Sequence, residues 1–244
     1  MDGTDTGDDS VWSNFADFLE ASSRVLCLVG AGLSAPSGLA TWRGTNGLWN
    51  DLNLRDLASP NKFKEDPVTL TINQNVDGLL EQTDHPMSRL LGIHGTLKIV
   101  RCTTCDYNTN VHTPHDIPFL LSLSNANDQP RSAALSDLPH CPKCANLLRP
   151  GVVWFGERLA AGAPDSIDEW MSQQRIDLVI AAGTSLEVFP AAEWVNTART
   201  YGASLLVIDT EKDHQLVDEL NDNDWFFKGD IAVILPRIVN LLER

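Results

Sequence analysis

Hydrophobic positions along this chain alternate between two periods. Val11, Trp12, Phe15, Phe18 and Leu19 recur at helical spacing, with Ser10 placed to cap the N-terminus. Arg24-Val-Leu-Cys-Leu-Val-Gly30 then runs apolar and stops at glycine, as a buried parallel strand reads. Residues 68–72, 178–182, 205–208 and 232–235 form similar runs, and helical patterns at 191–201 and 214–221 fall between several strands. Strands alternating with helices predict an α/β fold with a mostly parallel sheet. No internal repeat is visible.

Residues 97–146 break this rhythm. The stretch is rich in Thr, Asn, Ser and Pro and carries four of the five cysteines, two at each end. It predicts a small module inserted into an α/β body made of 10–96 and 147–244, behind an acidic tail at 1–9. Cys102-Thr-Thr-Cys105 and Cys141-Pro-Lys-Cys144 can each place two thiolates on one turn, and together they can complete a tetrahedral site for Zn²⁺. Two disulfides or a redox dithiol are the competing readings, and reduced surroundings weaken the disulfide case. Four thiolates leave no open position for water, so such a zinc is structural. Cys27, inside the first apolar run, reads as a small buried hydrophobe.

Composition narrows the partners. With 33 acidic and 18 basic side chains, the formal net charge is −15. That field repels phosphate backbones, which argues against direct nucleic-acid binding and favours cationic partners such as lysine-rich protein tails. No apolar run is long enough to span a bilayer. The acidic opening MDGTDTGDDS resembles neither a secretory signal nor a mitochondrial transit peptide, so cytosol or nucleus is the expected compartment.

Candidate chemistry collects where strands end. Gly30-Ala31-Gly32-Leu33-Ser34 follows the first strand, and small residues there let backbone amides approach a pyrophosphate at a helix N-terminus. A glycine turn that only permits a tight bend is the equally weighted alternative. Thr41-Trp42-Arg43-Gly44 returns an arginine to that turn, a natural phosphate or carboxylate partner. Gln74-Asn75-Val76-Asp77, Ile93-His94-Gly95, Gly183-Thr184-Ser185 and Asp209-Thr210-Glu211 supply further polar clusters.

These motifs, in this order, resemble the sirtuin family over nearly the whole chain. The match takes in residues 30–44, Gln74 to Asp77, His94-Gly95, the four cysteines, Val153-Trp154-Phe155-Gly156-Glu157 and Gly183 to Ser185. The Ser-Ala-x-Ser-Gly loop and Arg149-Pro-x-Val-Val-Trp-Phe-Gly-Glu157 are similar to the class III branch, which includes sirtuin-5-like and some bacterial enzymes. The resemblance implies a Rossmann-like body with an inserted zinc module, and an NAD-dependent protein-lysine deacylase. Its acyl groups would be acetyl, extended in class III to succinyl and malonyl. It implies that Gly30, Ala31, Gly32, Ser34, Arg43 and Trp49 line the NAD site, and that Gln74, Asn75 and Asp77 hold the nicotinamide and its ribose. Gly183, Thr184, Ser185, Asp209, Thr210, Glu211 and Ile231 would surround the adenosine. Val153 to Glu157 would pair with an extended substrate peptide. Nicotinamide leaves as the acyl-lysine oxygen attacks the ribose. His94 then serves as general base, with Asn75 also in the catalytic set, yielding free lysine and O-acyl-ADP-ribose. An ordinary imidazole pKa of about 6.5 suits that task.

Trp42, Asn73 and Asp209 stand where the family commonly has phenylalanine, threonine and asparagine. A larger departure follows Pro67, where a class III enzyme continues through a helical segment carrying the Tyr and Arg that read acidic acyl groups. Here Pro67 abuts the apolar run from Val68, and no Phe-Tyr-x-x-Arg-Arg sequence occurs. A weak or inactive NAD- and zinc-binding protein is therefore the alternative expectation.

Overall fold

The computed structural model describes residues 9–34, 68–111, 138–210 and 220–242. Nine strands follow one another along those residues: β1 (Arg24–Val29), β2 (Val68–Asn73), β3 (Leu90–Gly92), β4 (Gly95–Cys102), β5 (Asn108–Asn110), β6 (Leu148–Val152), β7 (Leu178–Ala182), β8 (Ser204–Asp209) and β9 (Trp225–Lys228). The helices are α1 (Asp9–Ala21), a single turn α2 (Ala31–Ser34), α3 (Ala163–Gln173), α4 (Ala191–Thr200) and α5 (Ile231–Leu242). The chain divides into two compact units, one of residues 1–75, 79–93 and 160–244, the other of 76–78 and 94–159.

In the larger unit six strands lie in the order β3-β2-β1-β7-β8-β9, every pairing parallel. Counted within that unit, the order is 3-2-1-4-5-6, the dinucleotide-binding arrangement, and it reverses between β1 and β7. Ligands of such sheets collect beyond the carboxyl ends of the strands at that reversal. The central strands are apolar on both faces because both are covered: Leu26, Leu28, Ile72, Leu178, Val179, Leu205 and Leu206 are all buried.

One face is closed by α1 and α5. Trp12 stacks on Phe227 with centroids 4.0 Å apart, and Phe15 meets Trp225 and Phe227 edge-on, both at 5.3 Å. Ile231, Ile234 and Ile238 of α5 join the same cluster. Cys27 is packed against that cluster from mid-strand, where burial pushes its thiol up to about 12.

Two local expectations are corrected. Ser10 lies in the first turn of α1, which starts at Asp9, so it is not the cap. The run at 232–235 is helical, not a strand: Asp230 accepts the Ala232 amide on Oδ1 at 2.8 Å and starts α5. Val233 is 69 % exposed while Ala232 and Ile234 are buried, and a short apolar run alone does not separate these cases. The last strand is instead Trp225–Lys228, which pairs with β8. Most of the helical pattern at 214–221 lies outside the described residues; Leu220 and Asn221 are not helical.

The smaller unit is a three-stranded antiparallel sheet in the order β5-β4-β6. Its two cysteine turns follow β4 and precede β6. No helix among the described residues is long and apolar enough to cross a membrane.

Candidate functional site

The polar strand ends of the larger unit form one bonded set. Gly30 follows β1, and its carbonyl accepts Asn75 Nδ2 at 2.9 Å. Gln74, just past β2, donates Nε2 to Thr184 Oγ1 at 2.9 Å, joining the ends of β2 and β7. Asn73 is fully buried, and its Oδ1 accepts the Asn75 amide at 2.9 Å in an Asx turn. Its Nδ2 is buried without a hydrogen-bond partner among the described residues. Buried donors are normally paired, so a leftover donor at a strand end suits a polar ligand.

The glycines here serve backbone packing. A Cβ on Gly32 would stand 2.5 Å from Gly183 Cα, and one on Gly30 would stand 2.6 Å from the Gly183 carbonyl. Gly32 donates its amide to that carbonyl at 2.9 Å, and Gly183 donates its own to Ile208. The turns after β1 and β7 thus interlock at the sheet's reversal, with β8 holding the second of them through Ile208. Ser34 and Thr184 are buried, Ser185 and Asp209 half-buried, and Ala31 and Thr210 exposed. Ile231 opens α5 with its side chain in the core. Arg43, Trp49 and Glu211 lie outside the described residues.

In the smaller unit, Val76 and Gly78 are strapped to β4: Leu97 donates to the Val76 carbonyl at 2.8 Å, and Lys98 Nζ to the Gly78 carbonyl at 3.1 Å. Asp77, between them, is half-buried. His94 precedes β4, is half-buried, and accepts the Val153 amide on its carbonyl at 2.8 Å. β6 is an edge strand of its sheet, and the predicted peptide segment continues from it. Trp154 and Phe155 are exposed, Phe155 by 84 %. Glu157 turns back: its carboxylate accepts Arg101 at 2.9 Å, Arg149, and the Trp154 amide at 3.0 Å.

The four cysteine sulfurs all lie within 4.8 Å of one another, with Cys102 and Cys144 at 3.5 Å and Cys105 and Cys141 at 3.6 Å. Tetrahedral Zn–S bonds of about 2.3 Å need sulfurs about 3.8 Å apart, so the set fits zinc. These separations are far beyond an S–S bond, and all five cysteines are free. The Thr104, Cys105 and Lys143 amides point at Cys102 or Cys141 sulfur from 3.3 to 3.4 Å. The Asn146 amide and side chain draw the Cys144 thiol down to about 6, and the Cys105 amide lowers Cys102. The Tyr107 amide favours a Cys105 thiolate, yet desolvation and the neighbouring thiols push Cys105 up to about 12. Four thiolates at this spacing therefore require a dication, and Zn²⁺ suits the donors.

Sequence reasoning missed Thr184 as partner to Gln74, and Arg101 and Arg149 as partners to Glu157. Arg149 shares a motif with Glu157, which was a usable signal; Arg101, 56 positions away, offered none.

Parallel order 3-2-1-4-5-6 with interlocked glycine turns, plus a four-cysteine module, defines a zinc-bearing dinucleotide-binding class. A family pattern described as Sir2 family matches residues 64–190. A Candida albicans protein named NAD-dependent protein deacylase is 32% identical over 289 residues of alignment, covering 91% of this chain and 94% of the relative. An Archaeoglobus fulgidus protein named NAD-dependent protein deacylase 1 is 33% identical, covering 78% and 83%. Among solved structures, a Sir2 homologue with ADP-ribose has a TM-score of 0.66 at 28% identity, covering 96% of each chain. A Sir2 complex with p53 peptide and NAD+ has a TM-score of 0.71 at 23% identity, covering 93% and 96%, a likeness of fold. The chain belongs to the Sir2 family. The Candida alignment, at 289 residues, is longer than this 244-residue chain, so that relative carries stretches absent here.

Proposed function

We propose that this chain is an NAD-dependent protein-lysine deacylase, releasing nicotinamide and O-acyl-ADP-ribose. The observation that carries the reading is the main-chain bond from Val153 to His94, which ties a candidate base to the start of a candidate peptide edge. NAD, when bound, supplies an ADP-ribosyl acyl acceptor with nicotinamide as the leaving group.

The chain's own residues have distinct tasks. Gly30, Ala31, Gly32 and Ser34, at the sheet's reversal, take the phosphates and nicotinamide end, a task shared with Arg43 and Trp49. Gln74, Asn75 and Asp77 orient the nicotinamide and its ribose. Asn75 donates Nδ2 to Gly30, which leaves its Oδ1 to accept from a ribose hydroxyl. Gly183, Thr184, Ser185, Asp209, Thr210, Glu211 and Ile231 take the adenosine. His94 Nε2 or Nδ1 removes a proton from a ribose hydroxyl so that it can attack the transferred acyl carbon.

The outer edge of β6, unpaired among the described residues, and the segment 153–157 that follows it take an extended acyl-lysine segment of the substrate. The acidic chain, at −15, favours lysine-rich substrates. Reduced surroundings suit a thiolate zinc site, which supports the reading of cytosol or nucleus as the compartment. The expected break at Pro67 removes the acid-reading Tyr and Arg of class III, so acetyl-lysine is the reference substrate. The Candida alignment, longer than this chain, fits a missing stretch.

Nicotinamide release from NAD, measured with and without acetyl- and succinyl-lysine peptides, tests the reading. Release that does not depend on an acylated peptide overturns it.

A further inference from the structure

Glu157 is exposed, yet both of its carboxylate oxygens are spent on partners within the chain, which raises the question of what they do there. One oxygen accepts Arg149 from β6, the other accepts Arg101 from β4 and the Trp154 amide. Arg149 is only 10% exposed in its side chain, sends Nη1 to the Val152 carbonyl at 3.3 Å, and lies 4.0 Å over the Trp154 ring. Residues 154–157 form a tight turn, closed by the Glu157 amide on the Trp154 carbonyl at 2.9 Å. Gly156 holds φ +86° at its third position, as a type II turn requires, and a Cβ there would meet nothing within 4 Å. Phe155 sits at the turn's second position, 84 % exposed.

We infer that Arg101, Glu157 and Arg149 form a clamp that positions Val153 to Phe155 as a preset template for the substrate peptide. The clamp rests on the reading of that segment as the peptide edge. Its logic is geometric. A segment that receives a peptide must already hold its shape, or binding must first order it. Trp154 spends its own amide and carbonyl on Glu157, so the clamp presets the shape of the turn and not a ladder of main-chain groups. Val153 is anchored at one end by His94. Trp154 would otherwise swing on the glycine turn, and the carboxylate fixes it by taking the Trp154 amide while two arginines from neighbouring strands hold the carboxylate. These charge-assisted bonds also keep the Glu157 carboxyl below the usual carboxylate range, first through the Trp154 amide and then through Arg149. Glu157 is therefore a positioning residue.

The test compares wild type, Glu157→Ala and Glu157→Gln in the full chain with zinc. Amide exchange over residues 153–157 reads the clamp, fluorescence anisotropy of a labelled acetyl-lysine peptide reads the template, and ADP-ribose titration is the control. Glu157→Ala should speed exchange at Trp154 and weaken peptide binding about tenfold or more, with ADP-ribose affinity and zinc content unchanged. Glu157→Gln keeps one acceptor in the same shape and should fall between, which also serves should the alanine variant not fold. If exchange rises while peptide affinity stays within twofold, the clamp is merely structural and the inference fails. It fails equally if exchange is unchanged. Should wild type bind no acylated peptide at all, the deacylase reading falls, and exchange alone still judges the clamp.

Discussion

Gly183→Ala separates packing from conformational strain at the sheet's reversal. Gly183 holds φ +61°, and an added Cβ would stand 2.7 Å from Gly32 Cα, 2.7 Å from the Leu33 amide nitrogen and 2.8 Å from Gly32 carbonyl carbon. All three are backbone atoms, so no side chain can rotate away. Holding alanine in the left-handed region costs roughly 1–2 kcal/mol. Driving two packed turns apart adds about 1–3 kcal/mol, as overpacking does. The sum, about 2–5 kcal/mol, corresponds to a fall in melting temperature of roughly 4–20 °C for a chain of this size. The Gln74–Thr184 and Gly32–Gly183 hydrogen bonds sit on the displaced turn, so NAD affinity should drop with stability. Gly162→Ala is the matched control: Gly162 holds φ +90° with nothing within 4 Å of a Cβ, so it bears strain alone. Thermal unfolding by circular dichroism and NAD titration by calorimetry measure both variants. Equal melting temperatures for the two would refute the packing argument.

Three further outcomes follow from the site. Cys141→Ser removes a buried ligand and should lose zinc and the fold of its unit, because structural zinc binding is folding energy; elemental analysis of any soluble protein decides, and full zinc content would contradict the assignment. His94→Ala should lower turnover at least 10²-fold, on the order of general-base catalysis, yet keep its fold, since the bond to Val153 uses the His94 carbonyl that alanine retains; single-turnover kinetics beside a melting curve checks both. The break after Pro67 predicts no strong preference for succinyl- over acetyl-lysine, since losing charge-assisted bonds to a carboxylate costs about 1.5–3 kcal/mol, or roughly 10- to 150-fold; a marked succinyl preference would mean an acid reader elsewhere in the chain, with Arg43 and Arg158 the nearest candidates by sequence.

Much of this protein is written in local pattern. Continuous apolar runs identified β1, β7 and β8, because a strand covered on both faces has no polar alternate positions, while β2 was legible from Val68, Leu70 and Ile72 although Thr69, Thr71 and Asn73 alternate with them. Two Cys-x-x-Cys pairs specified a four-sulfur site, since the spacing itself builds each turn. Pattern failed where it is degenerate: the run at 232–235 satisfies helix and strand alike, and only Asp230's cap and the packing of Ile231, Ile234 and Ile238 on α1 decide for the helix. Four residues of Trp225–Lys228 were too few to show a period, and β8 made them a strand by pairing. The glycines carry the plainest lesson. From sequence, Gly30 and Gly32 left room for a phosphate or merely a bend; in the fold, their missing Cβ atoms are where the turn after β7 seats its backbone. Likewise Glu157 looked like one more residue of a peptide-binding motif, while its partner Arg101 lies on another strand. Such contacts join positions far apart along the chain, so no local period encodes them, and they exist only once the strands have found their order.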